Sequence, residues 1–189
     1  MTTATNPFPD HTLDTAPAAA RPTMAAITRH LGHLPAAVAR LANSPELLEA
    51  FTKSNALFTA STLDPLAREV LVMTVATRNE CHLCVAMHTD LLHRLGAAPE
   101  LIEALRDGRA LPDARLQAVR QFTLEVLATT GAASPEALAA FQAAGFTTRN
   151  ALEVVLGIGT YTMSTLANRL TGAPVDERLA AHAWTPAAH

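Results

Sequence analysis

Along most of the chain, apolar residues recur at the three- and four-residue spacing that is typical of one helical face. No stretch alternates between apolar and polar positions as a half-buried β-strand does. The pattern predicts an all-α fold, with helices at about 24–31, 35–42, 45–60, 65–78, 80–95, 99–107, 113–130, 134–144 and 148–170.

Helix ends are marked by residues with known capping roles. Ser44, Asp64 and Ser134 each place a side-chain oxygen directly before a proline, and Thr147 stands before the last predicted helix. A glycine follows each of five predicted helices, where a left-handed residue commonly ends the last turn: Gly96, Gly108, Gly131, Gly145 and Gly172.

Two segments, 66–77 and 151–167, are apolar on nearly every helical face. Such helices lie at the centre of a bundle or between subunits. In the second segment Gly157, Gly159 and Ser164 would let another helix approach closely. We expect core packing to be its main role.

The length and composition favour a single domain. With 189 residues, of which 49% are hydrophobic, the chain can form one well-buried domain, which we expect to span residues 23–189. Aromatic residues make up only 4%, so the core must consist mainly of Ala, Leu and Val. Residues 1–22 are rich in Pro, Thr and Ala, and we expect a flexible N-terminal arm there.

Charge and hydropathy narrow the choice of partners. The net charge is -3 and no basic block occurs, which argues against nucleic-acid binding. The longest uncharged stretch, 154–168, is too short and too polar to cross a bilayer, and the N-terminus lacks the pattern of a secretory signal. We therefore expect a cytoplasmic protein that does not enter membranes. Only 16% of residues are charged, which suggests that other subunits cover part of the apolar surface.

The only two cysteines, Cys81 and Cys84, form a CxxC pair. In a cytoplasmic chain this spacing indicates redox chemistry or metal binding rather than a disulfide framework. If Asn79 caps the helix, Cys81, Cys84 and His88 fall within an arc of roughly 60°. Leu91 and Leu95 lie on the same stripe, which we therefore expect to be buried, whereas three residues should face solvent: His82, Thr89 and His93.

Cys81, Cys84 and His88 each have a chemical reason to lie on this helical face. A thiol is nucleophilic only as the thiolate, which the amides at a helix N-terminus would favour at Cys81. His88, one turn after Cys84, can accept its proton directly or through a water molecule. Two thiols three residues apart on a helix can also close a disulfide with modest distortion. The pattern predicts a cycle between dithiol and disulfide.

Glu69 lies on the apolar preceding helix, where an unpaired carboxylate would be costly to bury. An imidazole is its natural partner. A hydrogen bond from His88 to Glu69 would fix the tautomer of the imidazole and raise its basicity.

The order Glu69-x11-Cys81-x2-Cys84-x3-His88 on two successive helices resembles the signature of the AhpD-like branch of the carboxymuconolactone decarboxylase superfamily. The likeness extends from about residue 24 to residue 184 and includes the segments DARLQAVRQF and NRLTGAPVD. It implies an AhpD-like helical bundle that assembles as a trimer or hexamer. It also implies a thiol peroxidase or disulfide reductase activity.

The resemblance further implies a role for each residue. Cys84 would attack the peroxide, Cys81 would resolve the product, and Glu69 and His88 would relay protons. The electrons would come from a lipoyl-bearing or thioredoxin-like dithiol partner. Founding AhpD proteins carry a second relay histidine directly before the second cysteine, where this chain has Leu83.

The leading hypothesis is therefore reduction of a small hydroperoxide, a step for which no cofactor or metal is expected. One alternative is a lactone decarboxylation or related proton transfer by His88 and Glu69 without the sulfurs. Another is a redox or zinc switch without catalysis, because all four side chains are legitimate zinc ligands. We expect Glu153 to be a carboxylate favoured by its helix dipole, and we assign no site role to Tyr161, Asn168 or Arg169.

Overall fold

The computed structural model describes residues 6–186, and every regular element within that range is helical. The all-α prediction is confirmed. The nine α-helices are α1 (Arg21–Leu31), α2 (Ala36–Leu41), α3 (Pro45–Thr59), α4 (Pro65–Arg78), α5 (His82–Arg94), α6 (Pro99–Arg106), α7 (Ala114–Ala128), α8 (Pro135–Ala143) and α9 (Thr148–Thr171). A 3-10 helix at Glu177–His182, which the pattern did not predict, follows them.

The predicted capping residues set the starts of four helices. The side chains of Ser44, Asp64 and Ser134 each accept a hydrogen bond from a backbone N–H in the first turn of α3, α4 and α8. Thr147 and Asn150 form a reciprocal capping box at the start of α9. These bonds satisfy N–H groups that a helix start would otherwise leave without partners.

Helix α4 is the central element of the bundle. It packs against α5, α7 and α9, and its residues from Val70 to Ala76 are almost fully buried. The prediction that segment 66–77 lies at the centre is therefore confirmed. This position makes α4 a rigid support for the side chains that it presents to α5 and α9.

Helix α9 has one buried face and one apolar face that is exposed. Gly157 lies on the buried face, where an added Cβ would come within 2.6 Å of the Phe58 ring and 2.8 Å of Leu71, so only glycine allows this approach. On the other side, four large apolar side chains are 50–75% exposed: Leu152, Val155, Leu166 and Leu170. At 100° per residue they lie within an arc of roughly 60°.

The segment before α1 makes specific contacts with the bundle. Asp10 pairs with Arg40 of α2, and the Asn6 side chain donates to the Thr171 carbonyl at 2.9 Å. Ala16 and Ala20 are buried in a small cluster with residues of α1, α2 and α3. These contacts join residues 6–20 to the bundle, and α1 begins at Arg21, two residues before the expected domain start. The mobility of the segment stays a prediction, and its first five residues lie outside the described range.

Within residues 6–186, no helix combines the length and apolar character that crossing a bilayer requires.

Candidate active site

The turn between α4 and α5 places the first cysteine at a helix start. Asn79 ends α4 instead of capping α5, so that prediction was wrong. Its N–H still bonds to the Val75 carbonyl, and the chain leaves the helix only at Glu80, whose φ of 50° is unusual for a residue with a side chain. Cys81 is therefore the N-cap residue of α5. The Asn79 side chain donates to the Thr165 hydroxyl at 2.9 Å and ties the turn to α9.

The two thiols lie side by side beneath this turn. The sulfur atoms of Cys81 and Cys84 are 3.0 Å apart and are not joined by a disulfide bond. They are only 2% and 3% exposed, respectively. A disulfide bond is about 2.0 Å long, so closing one here requires a shift of about 1 Å.

The surroundings favour negative charge on the first sulfur. The pKa of Cys81 is lowered to about 7, first because the Cys84 thiol donates to its thiolate, which outweighs the effect of burial. The Cys84 backbone N–H and the positive charges of His82 and Arg169 add to this effect. The pKa of Cys84 is raised well above its ordinary value by the neighbouring Cys81 and by burial. When the pair loses one proton, the other therefore stays on Cys84.

A buried carboxylate and an imidazole form a hydrogen-bonded pair beside the thiols. Nδ1 of His88 lies 2.7 Å from a carboxylate oxygen of Glu69, which α4 presents to α5. The two residues are 8% and 7% exposed. The hydrogen bond inferred from the sequence is thus present, and it leaves Nε2 of His88 as the nitrogen available for proton exchange. No hydrogen bond within the described residues joins His88 to either sulfur, so a proton would have to pass between them through water.

Tyr161 of α9 closes the site on the side of α3. Its ring packs edge-on against the His88 ring, with the centroids 5.2 Å apart, and its hydroxyl donates to Asn55 at 2.9 Å. Burial, together with the negative charges of Glu69 and Cys84, raises the pKa of Tyr161. The phenol therefore stays protonated and serves as a wall of the site and a fixed donor.

Asn168 and Ser164 of α9 approach the second sulfur, which sequence reasoning missed. Nδ2 of Asn168 lies 3.4 Å from Sγ of Cys84 and 3.4 Å from Oγ of Ser164. Hydrogen bonds from both side chains favour the Cys84 thiolate. The sequence gives no distinct signal for this contact, because α9 carries several other polar residues besides Ser164 and Asn168.

The structure brings Cys81, Cys84, His88 and Glu69 together, as the sequence predicted. The predicted faces of α5 were only partly right. His82 and His93 are exposed as expected, but Thr89 is buried, because α6 and the 3-10 helix cover that side and Arg106 donates to its hydroxyl. Leu95, expected on the buried strip, is 41% exposed because α5 ends at Arg94.

Leu83, at the position where AhpD proteins have a second histidine, is 2% exposed within the main hydrophobic cluster. It can carry no proton. Within residues 6–186, no group of three or more His, Cys, Asp or Glu side chains is arranged to hold a metal ion.

Comparison with known proteins supports the resemblance inferred from the sequence. The sequence model of the carboxymuconolactone decarboxylase family matches residues 45–125, which include all four predicted site residues. No curated protein sequence matches the chain. Residues 45–125 are therefore similar in sequence to the carboxymuconolactone decarboxylase family, and the fold of the described residues is AhpD-like.

Several solved structures share the fold. The AhpD core of a peroxidase-related protein from Ralstonia eutropha JMP134 is 21% identical, with a TM-score of 0.80 over 91% of this chain and 93% of that one. A peroxidase-related protein from Silicibacter sp. TM1040 is 23% identical, with a TM-score of 0.78 over 95% and 97%. A cysteine-to-alanine variant of the debrominase Bmp8, bound to 2,3,4-tribromopyrrole, is 13% identical, with a TM-score of 0.75 over 95% and 96%.

Proposed function

We propose that this protein is a thiol-dependent peroxidase and disulfide oxidoreductase that reduces small hydroperoxides through Cys84 and Cys81. The observation that carries the proposal is the pair of buried thiols 3.0 Å apart beside the Glu69–His88 hydrogen bond. A dithiol in contact can be oxidised by two electrons without rearrangement of the fold. Because both sulfurs are nearly buried, small hydroperoxides would reach them more easily than bulky ones.

In the peroxide step, the Cys84 thiolate attacks the terminal oxygen of the hydroperoxide and the O–O bond breaks. The alkoxide leaves and takes up a proton, and Cys84 becomes a sulfenic acid. Cys81 then attacks the Cys84 sulfur, forming the disulfide and releasing hydroxide, which is protonated to water. An external dithiol, lipoyl-bearing or thioredoxin-like, reduces the disulfide and is itself oxidised.

Proton movements in this cycle need a group that can both take and give a proton. Negative charge resides first on Cys81, so Cys84 must transfer its proton before it attacks. We assign this transfer to His88, acting through water and held in one tautomer by Glu69. The hydrogen bond to Glu69 would stabilise the imidazolium that forms.

The decisive comparison is between the parent and a Cys84→Ser variant. With a dithiol reductant present, the parent should consume hydroperoxide catalytically, whereas Cys84→Ser should lose essentially all turnover. Without dithiol, Cys81→Ser should allow one attack and stop at the Cys84 sulfenic acid, because no resolving thiol remains. Equal turnover by Cys84→Ser and the parent would refute the proposal.

Each alternative function would be recognised by its own measurement. A lactone decarboxylase using Glu69 and His88 would keep its activity when both cysteines are replaced. A zinc switch would contain bound metal after purification and show no peroxide turnover. Debromination, the activity in the name of the Bmp8 structure, would release bromide from a brominated pyrrole.

We further propose that the exposed apolar face of α9 joins copies of this chain into a trimer or hexamer. Its leucines are among the most exposed large apolar side chains of the described residues. A double substitution, Leu166→Glu with Leu170→Glu, should convert the assembly to monomers in light scattering. The control is Leu31→Glu, at a leucine that is 45% exposed on α1. A parent that is already monomeric would contradict this interface.

A further inference from the structure

Asn168 is a buried polar residue whose hydrogen-bonding capacity is only partly used. The residue is 4% exposed, and its Nδ2 contacts Cys84 Sγ and Ser164 Oγ, each at 3.4 Å. Its Oδ1 is buried and makes no hydrogen bond to any described residue. If the amide were turned by 180°, the nitrogen would occupy that unpartnered position instead. In either orientation one end of the amide lacks a partner.

The helix does not require this side chain. The bonds that end α9 run from the N–H groups of Gly172 and Ala173 to backbone carbonyls of Arg169 and Asn168. Leaving a buried amide group without a partner costs about 1–3 kcal/mol. A carbonyl oxygen without a protein partner, close to a reactive sulfur, is a place where a hydrogen-bond donor can bind.

We propose that Asn168 binds the oxygen atom that is transferred from the hydroperoxide to Cys84. This inference rests on the proposed function. Nδ2 donates to the Cys84 thiolate, while Oδ1 accepts the hydrogen of the terminal O–H group of the hydroperoxide. One amide thus holds the attacking sulfur and the attacked oxygen next to each other.

The contacts of Asn168 would also hold the Cys84 sulfenic acid that forms when the oxygen is transferred. When the O–O bond breaks, the terminal oxygen forms a bond to Cys84 Sγ and keeps its hydrogen, while the alkoxide leaves and is protonated. The Cys84 sulfenic acid then donates that hydrogen to Oδ1. Its sulfur stays beside Cys81, whose thiolate displaces the hydroxyl to form the disulfide.

Asn168 also opposes the factors that keep Cys84 protonated. Burial and the Cys81 charge raise the pKa of Cys84, whereas the hydrogen bonds from Asn168 and Ser164 lower it. Loss of the amide should therefore leave more of the negative charge on Cys81. The attacking sulfur would then be a thiolate for a smaller fraction of the time.

The test uses Asn168→Leu, which keeps the volume but removes both hydrogen-bonding groups, in the otherwise unchanged protein. The second-order rate of single-turnover peroxide consumption should fall about 10- to 100-fold, the range expected for the loss of one hydrogen bond to a charged group. Reaction with a dipyridyl disulfide, which transfers no oxygen, should fall by a smaller factor. Asn43→Leu, at an asparagine beside the start of α3, is the matched control and should react like the parent.

A second measurement separates a chemical role from a structural one. In a Cys81→Ser background only one thiol remains, so ultraviolet absorbance of the thiolate reports the pKa of Cys84. Asn168→Leu should raise that pKa, and Asn168→Asp should raise it further, because a carboxylate repels the thiolate.

The outcomes are distinguishable. If the parent reacts with peroxide and Asn168→Leu matches it in rate and in Cys84 pKa, the role of Asn168 is refuted and the peroxidase remains. Equal losses with peroxide and with the dipyridyl disulfide, at unchanged pKa, would also refute it and indicate a structural residue. A parent that does not react with peroxide would refute the proposed function itself.

Discussion

Two buried carboxylates, Glu153 at the start of α9 and Glu69 on α4, are almost equally shielded from solvent, at 8% and 7% exposure. Glu153 accepts four hydrogen bonds: two from Thr62, one from Asn150 and one from Arg149. Glu69 accepts one, from His88, and makes no other with the described residues. The two acids therefore differ in how completely their oxygens are used.

The difference separates a structural acid from one suited to chemistry. Burial alone would raise the pKa of Glu153, but the hydrogen bonds from Thr62 and Asn150, with the charge of Arg149, lower it. This acid fastens the loop before α4 to the first turn of α9. Glu69 instead holds one imidazole in place and keeps the remaining lone pairs free, so the charge on His88 can change without disrupting the fold.

The largest expected effect is on activity, from Glu69→Gln. The amide keeps the shape of the side chain but cannot stabilise an imidazolium, so kcat/KM for hydroperoxide should fall about 100-fold. The free energy of unfolding, from urea denaturation, should change little. If Glu69→Gln lost as much free energy of unfolding as Glu153→Ala and kept full activity, the distinction between the two acids would be wrong.

The converse change is Glu153→Ala, which leaves the Thr62 N–H, the Thr62 hydroxyl and the Asn150 amide without their acceptor. The free energy of unfolding should fall by about 2–3 kcal/mol. Peroxide turnover per folded molecule should stay at the parental level, measured below the unfolding transition. A loss of turnover without loss of stability would place Glu153 in the chemistry instead.

A smaller effect concerns the ionisation of the first thiol. Because the pKa of Cys81 is about 7, thiolate absorbance should rise as the pH increases through neutrality, well below the ordinary value of 9.0. In Cys84→Ala the principal donor to Cys81 is removed, so the midpoint should move upward toward 9.0. A parental midpoint near 9.0, or one unchanged in Cys84→Ala, would show that the two thiols do not share a proton.

Much of the fold follows from local chemistry in the sequence. All nine α-helices were predicted from the spacing of their apolar residues, and capping residues or glycines marked an end of seven of them. The 3-10 helix lacks such a signal. Thr89 was misplaced because a helical projection shows which residues share a face but not which neighbouring elements cover the other faces.

The parts of the candidate site that lie close together in the sequence were also predicted. Cys81, Cys84 and His88 lie close together in sequence, and Glu69 could be paired with His88 because a buried acid needs a partner. Asn168 lies 84 residues from Cys84, so their contact depends on how α9 packs against the start of α5. Nothing in the spacing of the chain encodes that packing.

If the two sulfurs form one two-electron redox centre, intact mass spectrometry will detect its oxidation. The reduced protein should be treated with one equivalent of hydroperoxide, and its mass and free thiols measured before and after. We expect the loss of two hydrogen atoms and of both free thiols, reversed by a dithiol. An unchanged mass with both thiols still titratable, or a stable gain of oxygen without a disulfide, would contradict it.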